Sequence, residues 1–500
     1  MHDSHRSGVT GEQLQLPLSE SWVFKALQGP QPAWPPPAKQ DFFHKHYELR
    51  ETVAYDRAFH VVGAGRTIFF GSSADDKVYA LDAATGRQRW TFFTEGPVRL
   101  APSIADDKVY VGSDDGCAYC LSAGDGELLW KYKAAGQDRQ IPGNGRMISV
   151  WPIRTGVLVD DGTLYFAAGL FPNQGAFLFA LGAKDGAVTW KQQVDISPQG
   201  YMLASDERLY VPTGRANPFV FNRADGGLVG ELPSAGGTFA LLTEDVLVAG
   251  PGRGSKELNA GDLETKSKVA MFGGLRMLVK GPTAYMQSED QLSAFDRGSY
   301  LKLSRQQFAL AAQRDKLKEQ LKKMDKSSPQ VQEIQQQIDT LTPQIDELGE
   351  KLKGCYLWTV ACEYPYAMIM AGDVLFVGGR NKIAAIEAGS GKVIWTASVG
   401  GRAYGLSVVN GGLFVSTDEG QIHCFRHGAQ QNTQVVALEA DPNPYPQDSL
   451  SKRYAQAAEL IINKTGITKG YCLVLGCGRG RLAYELARRS DLKIIGVEAD

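Results

Sequence analysis

The 500-residue sequence lacks the long apolar runs that mark membrane proteins and secretory leaders. No run approaches the ~18 residues that a helix needs to cross a bilayer, so we expect no transmembrane segment. The first residues, MHDSHRSGVTGEQLQLPL, do not place a basic stretch before an apolar one, as a secretory leader does. We therefore expect a cytoplasmic protein, with a periplasmic one as the alternative if the true start lies upstream of Met1.

Charge of one sign and cysteine are also scarce. Lysine and arginine number 53 against 55 acidic residues, and the formal net charge of −2 at pH 7 predicts no nucleic acid partner. The seven cysteines are scattered and odd in number, which favours neither a disulfide framework nor a four-ligand zinc pattern. We therefore expect no metal site, and we expect Cys117 and Cys120, within a strand-like run, to be structural.

What the sequence does contain is a repeat, in which an apolar strand leads to a turn glycine and, four residues later, a tryptophan. The glycine supplies the positive φ that the turn requires, and the alternating apolar residues around it indicate a half-buried hairpin. The four clear copies are KVYALDAATGRQRWTF with Gly86 and Trp90, AYCLSAGDGELLWKY with Gly126 and Trp130, FLFALGAKDGAVTWKQ with Gly186 and Trp190, and KIAAIEAGSGKVIWTA with Gly391 and Trp395.

A further turn and strand precede each hairpin, so each repeat of about 40 residues has four short strands, the content of one propeller blade. We predict a mainly β protein with a β-propeller over residues 14–427, of eight blades, with seven as the alternative. The last repeat, NGGLFVSTDEGQIHCF, has no tryptophan strand, whereas Trp22 lies in an isolated strand near the N-terminus. We therefore predict that residues 20–26 complete the last blade and close the ring, and that residues 1–13 are disordered.

The glycine-to-tryptophan pattern resembles the pyrroloquinoline-quinone-type propeller repeat over most of residues 14–427. Quinone-dependent dehydrogenases of that type carry an adjacent pair of cysteines and calcium-binding acidic residues near the central axis. No two cysteines are adjacent here, so we do not expect pyrroloquinoline quinone, and a quinone-dependent dehydrogenase is the third of three functions considered. Similar repeats occur in envelope scaffolds such as the outer-membrane-protein assembly lipoprotein, which makes a non-catalytic scaffold the main alternative.

A helical pattern interrupts the strands at residues 304–353. Its apolar residues alternate three and four apart, which predicts an antiparallel coiled-coil hairpin inserted within one blade. The seam of the second helix is formed by Val331, Ile334, Ile338, Leu341, Ile345, Leu348 and Leu352. We expect Pro343 to kink or restart this helix. The hairpin is a candidate docking arm for a protein partner or for self-association, and its charged outer face is interpreted as solvated.

Beyond a polar linker at residues 428–449, the pattern becomes helix, strand, glycine-rich turn, helix and strand, as at the start of a doubly wound α/β sheet. The turn GCGRGR departs from the dinucleotide fingerprint, because Arg481 stands at the sixth position. It resembles the GxGxG motif of class I S-adenosylmethionine-dependent methyltransferases, although Val474 stands where that family often has an acidic residue. The resemblance implies S-adenosylmethionine as cofactor, held by Gly476, Gly478, Gly480 and, at the ribose hydroxyls, Glu498.

A sheet of two strands does not bury its own faces. We therefore expect residues 450–500 to be an incomplete, Rossmann-like methyltransferase domain whose acceptor half lies beyond residue 500. The leading hypothesis is a propeller recognition and assembly platform fused to that methyltransferase. The 500-residue chain alone is not expected to turn over, and the sequence identifies no catalytic residue.

Overall fold

The computed structural model describes residues 3–34, 53–143, 145–234, 236–252, 256–324, 329–428 and 433–498. The chain is mainly β and divides into two compact units: Met1–Gly136 with Trp151–Ala437, and Gln137–Val150 with Leu438–Asp500. The parts of the sequence predictions that fall on residues 1–2, 35–52, 144, 235, 253–255, 325–328, 429–432 and 499–500 lie outside the described residues.

The first unit repeats one design, a four-stranded antiparallel sheet whose strands follow one another along the chain. Two strands precede the repeats: β1 (Val9–Thr10) and β2 (Leu18–Lys25). The first three sheets are β3 (Val62–Ala64), β4 (Thr67–Gly71), β5 (Lys77–Asp82) and β6 (Gln88–Phe93); β7 (Ser103–Ala105), β8 (Lys108–Gly112), β9 (Cys117–Ser122) and β10 (Leu128–Lys133); and, after a hairpin of β11 (Gln140–Gly143) and β12 (Arg146–Ser149), β13 (Leu158–Asp160), β14 (Thr163–Ala168), β15 (Ala176–Gly182) and β16 (Val188–Val194).

Three further sheets of the same kind follow. A 3₁₀ turn at Pro172–Gln174 lies between β14 and β15. The strands of these sheets are β17 (Leu203–Ala204), β18 (Arg208–Val211), β19 (Phe219–Asn222) and β20 (Leu228–Glu231); β21 (Phe239–Leu242), β22 (Val246–Gly250), β23 (Glu257–Asp262) and β24 (Lys268–Gly273); and β25 (Arg276–Lys280), β26 (Thr283–Gln287), β27 (Gln291–Asp296) and β28 (Tyr356–Ala361).

The last strands of this unit join into one nine-stranded sheet, in the order β1-β29-β30-β31-β32-β33-β34-β2-β35. Its new members are β29 (Ala367–Ala371), β30 (Val374–Gly378), β31 (Arg380–Glu387), β32 (Val393–Val409), β33 (Gly412–Thr417), β34 (Gln421–His427) and β35 (Gln434–Ala437). The 17-residue β32 pairs with β31 through its first half and with β33 through its second. It therefore ends one group of four strands and begins the next.

Five tryptophans pack on the turn glycine of the following sheet, whereas the indole of Trp395 donates to the Leu18 carbonyl at 2.9 Å. A Cβ on any of these glycines would lie 2.6 to 2.9 Å from the indole, and their φ values are 68° to 78°. The indole N–H donates to the carbonyl three residues before that glycine, at 3.0 to 3.3 Å. The pairs are Trp22 with Gly86, Trp90 with Gly126, Trp130 with Gly186, Trp190 with Gly226 and Trp358 with Gly391.

The same contact joins the two ends of the ring. Strand β2 pairs antiparallel with β34 and carries Trp22, which is fully buried against Gly86 of the first sheet. The strand expected at residues 20–26 therefore lies at Leu18–Lys25, in the position that ring closure requires. Strand β35 pairs parallel with its other edge, so the predicted linker at 428–449 contains a strand.

The N-terminal segment is ordered, and the prediction of disorder over residues 1–13 is wrong for its described part, residues 3–13. Strand β1 pairs parallel with β29. The carbonyls of Ser4 and His5 accept hydrogen bonds from Ala204 and Leu242 at 3.0 and 3.1 Å. Backbone hydrogen bonds to inner strands thus hold this segment in place.

The inserted helices are α1 (Arg297–Lys323) and α2 (Gln330–Lys353), between β27 and β28. Helix α1 begins before the predicted residue 304, because Asp296 caps it by accepting a hydrogen bond from the Ser299 amide at 2.6 Å. Helix α2 continues through Pro343 while packed along α1, so the expected restart is absent, and the expected kink stays a prediction. The buried residues of α2 all lie in the predicted seam: Ile338, Leu341, Ile345 and Leu352. The supercoil itself stays a prediction.

The second unit contains α3 (Ser449–Thr465), β36 (Lys469–Leu475), α4 (Arg481–Ala487) and β37 (Asp491–Val497), with the two strands parallel. Its core consists of Ala458, Val474 and Leu486, where both helices cover one face of the strand pair. The β11–β12 hairpin belongs to this unit, so the predicted propeller range is interrupted at Gln137–Val150. In the described parts of the chain, no helix combines the length and apolar character needed to cross a membrane.

Candidate functional site

The glycine-rich turn joins β36 to α4 in the second unit, and its backbone departs strongly from regular structure. Gly476, Gly478 and Gly480 have φ values of 65°, 51° and 79°, a region that L side chains rarely adopt. A Cβ built on Gly476 or Gly478 meets nothing within 4 Å. The glycines are therefore required by the backbone conformation and leave open space beside the turn.

Glu498, directly after β37, reaches this turn. Its carboxylate accepts a hydrogen bond from the backbone N–H of Gly478, and the Cys477 amide donates to the Val497 carbonyl at 3.1 Å. Because β36 and β37 are parallel neighbours, their carboxyl ends meet at one edge of the sheet. The structure thus brings together the four predicted site residues, Gly476, Gly478, Gly480 and Glu498.

Three residues that the motif did not identify support the turn. The Tyr445 hydroxyl donates to the Arg479 carbonyl at 2.6 Å, and a Cβ on Gly480 would lie 3.2 Å from the Tyr445 hydroxyl oxygen. The Arg481 guanidinium donates to Asp448 at 2.8 and 3.1 Å. The Ser451 amide and Arg481 hold the pKa of the Asp448 carboxyl below its ordinary value. These contacts fix the first residue of α4 to the N-cap of α3.

The two faces of the strand pair differ in the second unit. Tyr471, Leu473 and Leu475 alternate along β36 and are 54%, 55% and 72% exposed, whereas Val474 between them is 7% exposed. The amide of Gly145, in the β11–β12 hairpin, donates to the Tyr471 hydroxyl at 3.0 Å. One face is therefore packed under helices, and the other is contacted by a hairpin tip while its apolar residues remain exposed.

The first unit contains a buried cluster of four charged residues, named here the balanced cluster: Asp56, Arg99, Asp114 and Arg154. Arg99 donates to Asp56 at 2.8 Å and to Asp114 at 2.6 Å, and Arg154 binds both oxygens of Asp114 at 2.9 and 2.8 Å. Burial alone would raise the pKa of Asp114, but Arg154 and Arg99 hold it below its ordinary value. Burial raises the pKa of Asp56, while Arg99 opposes that shift. Both carboxylates are hydrogen-bonded to guanidinium groups of the fold, which indicates a structural role.

The repeat region matches the family model described as outer membrane protein assembly factor BamB, over residues 48–151 and 350–442. The chain is 26% identical over 114 residues to tetrathionate hydrolase of Acidithiobacillus ferrooxidans, covering 23% of this chain and 19% of that one. It is 27% identical over 128 residues to polyvinylalcohol dehydrogenase of Sphingopyxis sp., covering 25% and 18%. The matches thus span less than a fifth of the length of either curated relative.

Solved structures show the same architecture. Quinohemoprotein alcohol dehydrogenases from Pseudomonas putida HK5 and Comamonas testosteroni each superpose with a TM-score of 0.51 at 12% identity, covering 89% of this chain and 81% of theirs. The computationally designed Ika8 protein gives 0.51 at 10% identity, covering 75% and 97%. The fold is therefore that of a β-propeller. Its repeats are of the pyrroloquinoline-quinone-like type.

Proposed function

We propose that the chain is an eight-bladed propeller platform carrying an S-adenosylmethionine-binding α/β unit of the class I methyltransferase type. The blade count includes β32 in both of its strand groups. The observation that carries the cofactor assignment is the open glycine turn with the Glu498 carboxylate bonded to it.

The residues present fit the cofactor. The space beside Gly476 and Gly478 admits a ligand against the backbone, where a side chain would fill it. The Glu498 carboxylate can accept hydrogen bonds from two ribose hydroxyls, while the Gly478 amide orients it. When bound, the cofactor would supply an electrophilic methyl group, and the contribution of the turn would be position and orientation.

Calorimetric titration of S-adenosylmethionine and S-adenosylhomocysteine into the purified chain tests this proposal. We expect saturable binding of both, weakened about 10-fold or more by Glu498→Gln, because a hydrogen bond to a charged group contributes about 1.5–3 kcal/mol. Gly478→Ala should also weaken binding, since its Cβ enters the ligand space.

The matched control is Gly466→Ala at the end of α3. Gly466 has a φ of 66°, and a Cβ there also meets nothing within 4 Å, so both alanines carry the same backbone strain. Only Gly478→Ala should change affinity. If the wild-type chain with a folded α/β unit binds neither ligand, the cofactor proposal is wrong.

Because S-adenosylmethionine is a cytoplasmic metabolite, the proposal also places the protein in the cytoplasm, which fractionation checks.

A non-catalytic scaffold is the second candidate, and the helical hairpin favours it. Among the described residues, the base of the hairpin contacts the ring: Arg305 binds Asp245 and Asp262 at 2.9 and 3.1 Å, Tyr300 stacks on Phe272 at 5.0 Å, and Leu352 packs in the same buried cluster. In this proposal the rest of the hairpin is a docking arm. Sedimentation of the chain with residues 306–348 replaced by a short glycine-serine turn should show loss of self-association if a second copy is the partner.

A quinone-dependent dehydrogenase is the third candidate. The likeness to quinohemoprotein alcohol dehydrogenases concerns the fold alone, and the sequence has no adjacent cysteines. We therefore do not propose pyrroloquinoline quinone as its cofactor. Dye reduction after addition of that quinone and calcium would contradict this choice.

A further inference from the structure

A cavity of about 390 Å³ lies among the inner strands of the first unit. Its walls come from β3, β7, β21, β25, β29 and β32, and from the N-terminal segment that carries β1. The basic residues on its walls are Arg6, Arg57, His60 and Arg276. Over the described part of the chain, no aspartate or glutamate lines it. The charged side chains on the described walls are therefore all basic, and we call this space the cationic cavity.

Among the described residues, the recorded hydrogen bonds of Arg276 reach no carboxylate. Its guanidinium donates to the Pro365 carbonyl at 2.8 Å and to the Gln287 side-chain oxygen at 3.4 Å, both neutral acceptors. Burial lowers the pKa of Arg276 to about 10; Tyr404 raises it and Arg57 lowers it. Two guanidinium groups thus act on each other across the cavity. A buried cation is costly unless an anion compensates it.

The other walls add donors. Arg57 donates to the Tyr404 hydroxyl at 3.1 Å, and the Arg6 guanidinium lies 4.3 Å from the centre of the Tyr201 ring. Burial lowers the pKa of Arg6 to about 10, while Tyr201 and the Asp3 carboxylate raise it. Burial also lowers the pKa of His60 to about 4, and the charges of Arg6 and Arg276 contribute to that shift. His60 is therefore neutral at pH 7, and the positive charge of the cavity comes from arginine.

Tyr55 lies between the cationic cavity and the balanced cluster. Its backbone carbonyl accepts from His60 Nε2 at 2.7 Å, so the neutral imidazole carries its proton on that nitrogen. Burial raises the pKa of its hydroxyl, and the charges that act on this hydroxyl are those of the balanced cluster. The hydroxyl therefore faces the balanced cluster, and only the backbone of Tyr55 contributes to the cationic cavity.

We propose that the cationic cavity binds a small oxoanion, such as phosphate, sulfate or a short dicarboxylate. Arg276 would supply the charge that the anion compensates, and Arg57 and Arg6 are further basic groups on the walls. Guanidinium groups suit this ligand, because their planar donors match carboxylate and phosphate oxygens. The cavity volume is within the range of small-molecule sites, about 300–1,000 Å³.

Thermal unfolding of the purified chain, at constant ionic strength, tests the site with sodium sulfate, phosphate and succinate against sodium chloride. We expect the divalent anions to raise Tm by several degrees with a saturating, millimolar or tighter dependence, and chloride to do so weakly or not at all. Comparison of sulfate and phosphate with succinate shows whether the cavity prefers an inorganic oxoanion or a dicarboxylate. Saturation separates binding from the general, non-saturating stabilisation that sulfate and phosphate give to many proteins.

Two variants locate the binding. Arg276→Gln should weaken the preferred anion at least 10-fold in a calorimetric titration, and Arg276→Lys, which keeps the charge but not the planar fork of donors, should weaken it less. Arg89→Gln is the matched control, because Arg89 pairs with Asp82 outside the cavity. The proposal is overturned if no divalent anion exceeds chloride, or if Arg276→Gln binds like the wild type. Neither outcome depends on S-adenosylmethionine binding.

Discussion

Two groups of buried arginines lie in the same propeller and differ in the groups that accept their hydrogen bonds. In the balanced cluster, Arg99 and Arg154 hold Asp56 and Asp114 through hydrogen-bonded ion pairs. In the cationic cavity, Arg276 reaches only neutral oxygens among its recorded hydrogen-bond acceptors, and the nearby charge that acts on it is another arginine.

The difference separates a structural role from a binding role. Where the fold itself provides the counter-charge, removal of one partner leaves a buried ion and destabilises the protein. Where it does not, the protein carries a desolvation cost that an external anion can offset. The same side chain should therefore respond in opposite directions to substitution at the two places.

The largest effect should follow Asp114→Asn in the balanced cluster. The substitution keeps the shape but leaves Arg99 and Arg154 with one carboxylate between them, so we expect the free energy of unfolding to fall by about 3–5 kcal/mol. Urea denaturation measures it. Glu95→Gln is the control, since Glu95 is in an exposed pair with Lys131 and should cost less than about 1 kcal/mol. A loss for Asp114→Asn no larger than that of the control would show that the balanced cluster does not stabilise the fold.

A smaller effect of opposite sign is expected for Arg276→Met. In a buffer free of divalent anions, replacing this buried cation by an apolar side chain of similar length should raise the free energy of unfolding by about 1–2 kcal/mol. Arg154→Met, the same replacement in the balanced cluster, should lower it. If both variants lower stability to the same extent, a carboxylate must neutralise Arg276, and the comparison between the two regions fails.

The propeller could be predicted from sequence because its signal is local and repeated. Four hairpins carry their own glycine and tryptophan, and the missing last strand indicated ring closure by the strand that contains Trp22. The packing partner of the tryptophans could not be predicted, because five of them dock on the glycine of the next sheet and not on their own. The order of residues 3–13 was missed because backbone carbonyls provide it, and these have no signature in the sequence.

The candidate sites divide in the same way. The turn at Gly476, Gly478 and Gly480 lies in one contiguous motif, so its position could be predicted, and Glu498 follows from the spacing of two adjacent strands. The cationic cavity could not be predicted, because Arg57 and Arg276 are more than 200 positions apart in the sequence. Only ring closure brings them to one space.

The smallest predicted effect is a pH dependence at His60, which faces Arg6, Arg276 and Tyr55 in the cavity. Burial lowers the pKa of His60 from 6.5 to about 4. Between these values the unfolded chain binds more protons than the folded one, so stability falls as the pH is lowered through this window and its full contribution is present above it. From pH 6.5 to about pH 5.5 we expect this group to cost about 1 kcal/mol.

The test compares urea denaturation of the wild type and His60→Gln across that pH range, with and without sulfate. The variant should lose less stability than the wild type as the pH falls, by about the amount assigned to this histidine. A bound dianion would favour the protonated imidazole, because it places negative charge beside the ring, so sulfate should also reduce the slope in the wild type. If stability depends on pH equally in the wild type and the variant, His60 does not contribute to the pH dependence. If sulfate leaves the pH dependence of wild-type stability unchanged, any bound sulfate lies too far from the imidazole ring to act on it. The anion would then bind beside the arginines and away from His60.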